Sequence, residues 1–200
     1  MALELSDFQF AVDCAEFIKT LGAPLDIIIA NAGISGHREL QVVDGIEQTF
    51  RVNYLGHFVL VNNLLPLVAA APAGRIVHVG SAAAYLRVPE GGIDFSSLHG
   101  EKSYSRMEKY GQSKLATILF SLYLSRILEG SNTTSKAIQP GVVHTNIARS
   151  YPGWFQAAFD TVGPLFMKTP GEGAATEVYS QSWLEHKRYC SVIQFTGSGL

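Results

Sequence analysis

A chain of 200 residues, 47% hydrophobic and 16% charged, has the composition of a globular domain long enough to bury a substantial core. A formal charge of −2 and a pI near 6.3 exclude electrostatic attraction to nucleic acid or an anionic membrane as an organising principle. Cys14 and Cys190 are too few for a disulfide framework, and neither they nor the six histidines show metal-ligand spacing. Reduced thiols, a cytoplasmic location and no metal are therefore expected. The apolar stretches LDIIIA (25–30) and FVLVNNLLPLVAAA (58–71) are short or interrupted by Asn62, Asn63 and Pro66, so neither a membrane span nor a leader is expected.

In chain order, Ser6 to Leu21 reads as a helix. Ser6 and Gln9 fit a capping box, and Ala11, Cys14, Ala15, Ile18 and Leu21 share a face. Gly22 and Pro24 end it. LDIIIA is a β-branched run bounded by turn residues, the pattern of a strand buried on both faces. Helical periodicity runs from Asp44 to about Val68 through Ile46, Phe50, Val52, Leu55, Val59 and Leu60. GRIVHVGS (74–81) reads as a strand, and 85–105 as a loop. Residues 105–129 read as an amphipathic helix with Leu115, Ile118, Leu119 and Leu122 on its apolar side. KAIQPG (136–141) is a third strand, 170–184 a helix opened by a Thr-Pro-Gly-Glu cap, and SVIQF (191–195) a last strand.

Strands alternating with helices at this spacing imply parallel β-α-β units in a single α/β domain over 1–200. In such sheets the reactive groups stand beyond the carboxyl ends of the strands. Asn31-Ala32-Gly33 follows the first strand, Ser81 the second and Gly141 to Thr145 the third, while Tyr110 and Lys114 lie four apart on the next helix. Residues four apart share a helix face, so the Lys114 ammonium can favour the phenolate of Tyr110, as proton transfer by a phenol requires. Ser81 can offer a hydroxyl to a substrate oxygen, and Asn53 can order a water beside Lys114. Taken singly, Asn31 also suits a turn, Asn53 a satisfied helix amide, Ser81 a cap, and His78 and His144 a strand and a loop position.

The five motifs occur in one order: Asn-Ala-Gly, Val-Asn-x-x-Gly-His-Phe, Ile-Val-x-Val-x-Ser, Tyr-x-x-Ser-Lys and Pro-Gly-x-Val-x-Thr. In them the chain resembles the short-chain dehydrogenase/reductase family over roughly residues 3 to 180. DGIEQTFRVNYLGHF (44–58), YGQSKLATILF (110–120), QPGVVHT (139–145) and TPGEGAA (169–175) bring it nearest to the retinol-dehydrogenase-like branch. The resemblance implies a Rossmann-like doubly wound parallel sheet and hydride transfer between NAD or NADP and a lipophilic alcohol, ketone or aldehyde. Tyr110 would be the acid/base, Lys114 would lower its pKa and bind the nicotinamide ribose, Ser81 would orient the substrate, and Asn53 would hold a relay water. Asn31, Ala32, Gly33, Pro140, Gly141, Val143 and Thr145 would line the cofactor, and Glu4 would meet its adenine end.

The resemblance begins near the family's third strand. The glycine-rich turn that cradles a pyrophosphate at a helix N-terminus has no counterpart in these 200 residues, so the expected domain is N-terminally truncated and its cofactor binding weak. GEGAAT (171–176) follows no strand, and TGSG (196–199) precedes no helix. SWLEHKRYCSVIQFTGSGL (182–200) departs from the family. Two readings stand: an oxidoreductase, or a catalytically impaired paralogue acting as an interaction partner through the helices at 44–68 and 105–129, which the resemblance implies pair subunits, so that a homo-oligomer is an expectation. The family's first strand would lie beside LDIIIA. Without it the run becomes an exposed edge, which ALEL (2–5) or another chain is expected to cover.

Overall fold

A computed structural model describes residues 3–99, 103–141 and 192–195, with isolated positions at 153, 156, 161, 169 and 171. Four strands form one parallel sheet: β1 (Ile27–Ala30), β4 (Arg75–Val79), β5 (Thr134–Ile138) and β6 (Val192–Phe195), in the order β5-β4-β1-β6. The β-branched runs dictate the central pair. Ile28 faces the row of Ile76 in register, and both enter one core with α1 (Phe8–Thr20), α3 (His57–Ala69) and α5 (Arg106–Ile127). The opposite-facing Ile27, Ile29 and Val77 are buried too, so both faces of this pair are covered, as the apolar run requires.

The edge beside β1 is closed, but not by ALEL. β6 pairs with β1 in parallel, from Ile27 against Val192 to Ala30 against Phe195. Residues 3–7 are committed elsewhere. The Glu4 carboxylate accepts from the amide and hydroxyl of Ser6, the Asp7 amide bonds back to the Glu4 carbonyl, and Arg51 Nε donates to the Ser6 carbonyl. Leu5 is buried where Gly56, lacking a side chain, lets the Leu5 backbone cross the helix. A segment turned in this way has no free ladder of backbone groups to offer a strand.

The first helix is capped by Asp7 rather than Ser6, its carboxylate accepting from the Gln9 and Phe10 amides at 2.9 and 3.2 Å. Ala11, Cys14, Ala15 and Ile18 are buried as expected, whereas Leu21, at the C-cap, is exposed. The helix expected from Asp44 starts later. Asp44 and Gly45 have φ of 48° and 76°, the positive pair that a tight hairpin turn needs, and join β2 (Val42–Val43) to β3 (Ile46–Glu47). The Glu47 carboxylate then accepts from the Phe50 amide and opens α2 (Gln48–Phe50), a π-turn over Arg51–Gly56, and α3. Buried Arg51 binds Asp44 at 2.7 Å and the Val43 carbonyl, and stacks on Phe8, tying the hairpin to α1. Gln48–Ala69 is long and apolar enough to cross a bilayer by composition, with mean hydropathy 1.3. Here its apolarity serves the core: Leu60, Val61, Leu64 and Val68 are fully buried.

Residues 85–105 carry more structure than a loop, namely the end of α4 (Ala83–Leu86) and a 3-10 turn over Phe95–His99. Apart from Gly171, which is helical, the expected helix at 170–184 lies outside the described residues. The largest correction concerns α5. Leu119 and Leu122, expected inside, are 47% and 46% exposed, and the buried face is Lys109, Gly111, Gln112, Ser113, Lys114, Ala116, Thr117, Phe120, Ser121 and Leu124. Small residues permit close packing, and the buried polar groups are partnered. The Gln112 amide oxygen accepts from Asp94 N, Lys109 Nζ donates to Ser97, and the Ser121 and Ser135 hydroxyls meet at 3.0 Å.

Gly111 is where α5 presses on α4. A Cβ there would meet the Arg87 carbonyl and stand 2.8 Å from the Ala83 carbonyl, both backbone and unable to retreat. Gly111→Ala is therefore expected to destabilise the fold by ~1–3 kcal/mol despite Ala's better helix propensity. Urea denaturation would show this as a lower midpoint at unchanged slope, and an equal or higher midpoint would refute the tight contact.

Candidate functional site

Register places the strand ends together. Ala30 pairs with His78 and Val79 with Ile138, so Asn31-Ala32-Gly33, Gly80-Ser81 and Gln139-Pro140-Gly141 leave one edge of the sheet side by side. Gly80 N bonds to the Ile138 carbonyl at 2.8 Å and holds two of these exits against each other. Helix α5 crosses behind them and inserts Lys114, which is 5% exposed. Its Nζ donates to the Val79 carbonyl at 2.8 Å and lies 5.8 Å from the centre of the Tyr110 ring. Burial lowers the Lys114 pKa from 10.5 to about 8.

Asn53 lies in the π-turn, an insertion that often marks functional helices. Its Oδ1 accepts from Ile34 N at 2.8 Å, and its Nδ2 donates to the Ile34 carbonyl at 2.9 Å and to Ser113 Oγ at 3.0 Å. The amide thus clamps both backbone groups of the residue that follows Asn-Ala-Gly. Ser113 passes the connection on by donating to the Tyr110 carbonyl at 2.8 Å. Gly33 completes the approach: a Cβ there would stand 3.0 Å from Asn53 Oδ1 and 3.7 Å from Lys114 Nζ. Gly33, Asn53 and Lys114 therefore share one spot, and only a glycine leaves it open.

Ser81 and Tyr110 are both half-buried. The Ser81 hydroxyl accepts from Ala83 N at 3.3 Å, and its carbonyl accepts from Ala84 N, so it starts α4, which meets α5 at Gly111 beside Tyr110. Ser81 and Tyr110 thus flank a single helix contact. Ala32 is buried, Asn31 half-buried and Gly33 exposed. Pro140 and Gly141 follow β5, Gly141 with φ of 88°. Glu4 is at the N-terminal turn with its carboxylate on Ser6. Val143, His144, Thr145 and Cys190 lie outside the described residues. Cys14 is a buried free thiol whose pKa burial raises. Among the described residues no three His, Cys, Asp or Glu side chains group as metal ligands.

Sequence reasoning passed over Gly111, Ser113 and His57, whose Nδ1 lies 3.0 Å from the Asn53 carbonyl. A glycine one residue after the candidate acid/base, inside a helix, was the available signal, since it weakens the helix unless packing needs it. On the outer side of the same helices, Phe50, Tyr54, Phe58, Leu119, Phe120 and Tyr123 line an apolar groove.

Residues 1–93 match the family described as short chain dehydrogenase. Human retinol dehydrogenase 14 is 42% identical over 160 residues, 79% of this chain and 46% of that protein. Mouse polyprenol dehydrogenase is 40% identical over 187 residues, 90% of this chain and 54% of that protein. The chain thus spans about half the length of the curated relatives it matches. Among solved structures, a short chain dehydrogenase from Escherichia coli CFT073, complexed with NADPH, superposes with a TM-score of 0.66 at 20% identity, covering 100% of this chain and 74% of that one. At that identity the likeness shows the fold.

The lowered Lys114 pKa has a checkable sign. Between about pH 8 and 10.5 the unfolded chain holds this proton and the folded chain releases it, so this residue makes stability rise with pH across that window. Denaturant titrations of the parent and of Lys114→Met should diverge there, the parent gaining relative to the variant as pH increases. Parallel profiles would mean an ammonium of ordinary pKa.

Proposed function

Since the chain belongs to the short-chain dehydrogenase family and to its retinol-dehydrogenase-like branch, we propose that it is an oxidoreductase acting on an alcohol/carbonyl pair with a nicotinamide cofactor. The observation that carries this reading is the buried Lys114 ammonium, anchored on the Val79 carbonyl within 5.8 Å of the Tyr110 ring, at the carboxyl edge of a parallel sheet. Val79 occupies one of three N–H donors on Nζ, and the opening beside Gly33 suits the hydroxyls of a ribose. The donor set fits the cofactor. Asn31, Ala32 and Gly33 would face it on one side, with Pro140 and Gly141 on the other.

When bound, a nicotinamide group supplies or accepts the hydride. The protein's part is protonic and geometric. Tyr110 Oη gives a proton to the nascent alkoxide in reduction, or takes the hydroxyl proton in oxidation. The Lys114 charge lowers the cost of the phenolate so formed. Ser81 Oγ holds the substrate oxygen in line. Asn53 fixes the Ile34 backbone and, through Ser113, the Tyr110 turn of α5, so the acid/base and the cofactor-facing turn keep one spacing. The names of the relatives, retinol dehydrogenase and polyprenol dehydrogenase, point to a lipophilic alcohol or its carbonyl as the substrate class.

A second reading is favoured by the exposed apolar face. Leu119, Leu122, Tyr123 and Ile127 are each close to half exposed on α5, next to Phe58 of α3. This face would join a second copy of the chain, whether or not the site turns over. Sedimentation of Leu119→Asp against the parent separates the cases: loss of a dimer supports the association, and identical monomers remove it.

Tyr110→Phe tests the catalytic reading. With a lipophilic alcohol and saturating millimolar NAD or NADP, turnover should fall ~10²–10⁴-fold while the circular dichroism stays parental. A Phe variant that retains parental turnover refutes the assignment of Tyr110.

A further inference from the structure

The backbone that leaves β1 is held at two places by side chains far along the chain. Asn53 makes the first hold, its Oδ1 accepting from the Ile34 amide and its Nδ2 donating to the Ile34 carbonyl. The second hold is on His37, whose carbonyl accepts from Tyr104 Oη and from Arg106 Nε, each at 3.0 Å. A carbonyl oxygen has two lone pairs, so two donors fill it. Between the two holds, Ser35 and Gly36 are buried.

Gly36 shows how closely the second hold is packed. Its φ is 86°, a left-handed value that favours glycine. A Cβ there would stand 3.0 Å from Arg106 Cγ, 3.1 Å from Thr49 Oγ1 and 3.3 Å from Tyr104 Oη. The Arg106 stem, the phenol and the buried Thr49 hydroxyl thus converge on a residue without a side chain. Burial, and after it the Glu47 carboxylate, hold the Tyr104 pKa above the ordinary phenol value, so its hydroxyl stays a donor at neutral pH.

Arg106 opens α5, and Tyr110 lies four residues on, the spacing that puts two side chains on one helix face. Lys114 is four further, with its Nζ on the Val79 carbonyl. Along this face α5 is fastened to the chain leaving β1 at one end and to the end of β4 at the other. Tyr110 stands between. We propose that Tyr104 and Arg106 are positioning residues that clamp the His37 carbonyl and hold residues 34–37 against the start of α5, one turn ahead of Tyr110. This loop continues the turn of Asn31-Ala32-Gly33, whose last residue lies beside Asn53 and Lys114. Held at both ends, it fixes the distance between that turn and the phenol. What the distance does for turnover rests on the oxidoreductase reading, whereas the clamp itself does not.

His37-Arg38 is the only His-Arg pair in the sequence. In a chain labelled with ¹³C-carbonyl histidine and ¹⁵N-arginine, one cross-peak therefore reports the clamped carbonyl alone. Tyr104→Phe and Arg106→Met should each move this peak, and the double variant should move it further. Exchange of the Ile34 amide should quicken about tenfold in the double variant while the Val77 and Val79 amides hold. A peak that stays in place in both single variants, or unchanged Ile34 exchange in the double, overturns the proposal. Arg106→Lys, which keeps a donor on a stem of similar length, separates positioning from bulk structure. With millimolar NAD or NADP and a lipophilic alcohol, Arg106→Met should lower kcat about tenfold at unchanged KM for the cofactor, and Arg106→Lys should recover most of it. Equal losses in these two variants, or parental kcat in the double variant, refute the positioning role. A parent without turnover removes the oxidoreductase reading instead, and the cross-peak and the Ile34 exchange still decide the clamp. Should the double variant not fold, Tyr104→Phe, which loses a single hydroxyl, carries both readouts.

Discussion

An ammonium inside a protein is tolerated only where the surrounding groups replace its lost water, and Lys114 sets that demand at the centre of this fold. Its stem runs through the packed face of α5, and its Nζ reaches the Val79 carbonyl, the last of β4. A carbonyl in the middle of a parallel strand is committed to the ladder, so the charge belongs at a strand's carboxyl end. That end is also where a ligand can approach. The same constraint explains why two buried histidines, His57 and His78, stay neutral, since a second cation in this dry layer would be repelled as well as desolvated.

The inverted amphipathicity of α5 follows from the same demand. To bring Lys114 to β4 and Tyr110 to the edge, the helix must present the side that carries Gly111, Gln112, Ser113 and Thr117 to the sheet and to α4. Those residues are small or able to hydrogen-bond, which permits close approach but buries little apolar area. Affinity for the core then comes from Phe120 and Leu124, about one and two turns beyond Thr117, while the leucine stripe is left outside. The helix therefore exposes leucine while burying lysine, and the apolar groove between α3 and α5 lies on its outward side.

How much of this was legible depends on whether the signal is local. The β-branched runs Ile27–Ile29 and Ile76–Val79 announce buried strands, and Tyr110, Lys114 and Asn53 stand in motifs whose order already implies neighbouring strand ends. The Asp44-Gly45 hairpin was overridden by an apolar period that happens to run through it, although two residues at positive φ outweigh a continued helix. For α5, periodicity put the leucine side inward, because hydrophobicity alone ranks Leu119 above Ser113. His57 and His78 carry no local mark at all. Only burial in the folded chain leaves Nε2 of each without a hydrogen-bond partner.

The edge of the sheet carries the remaining lesson. β1 is buried along its whole length, and a strand of that kind needs a neighbour on each side, since each backbone group left without water or a partner costs about 1–3 kcal/mol. Apolar residues near the N-terminus, Leu3 and Leu5, were attractive candidates on composition. Yet Glu4, Ser6 and Arg51 bend that stretch into a turn and lead it onto the core beside Gly56. What remains is a strand far along the chain, and Val192–Phe195 meets the requirement in parallel register. A divergent segment can fill such a position because the ladder reads backbone and not sequence. The sheet thereby selects a direction and a register from the C-terminal residues while placing little demand on which side chains they carry.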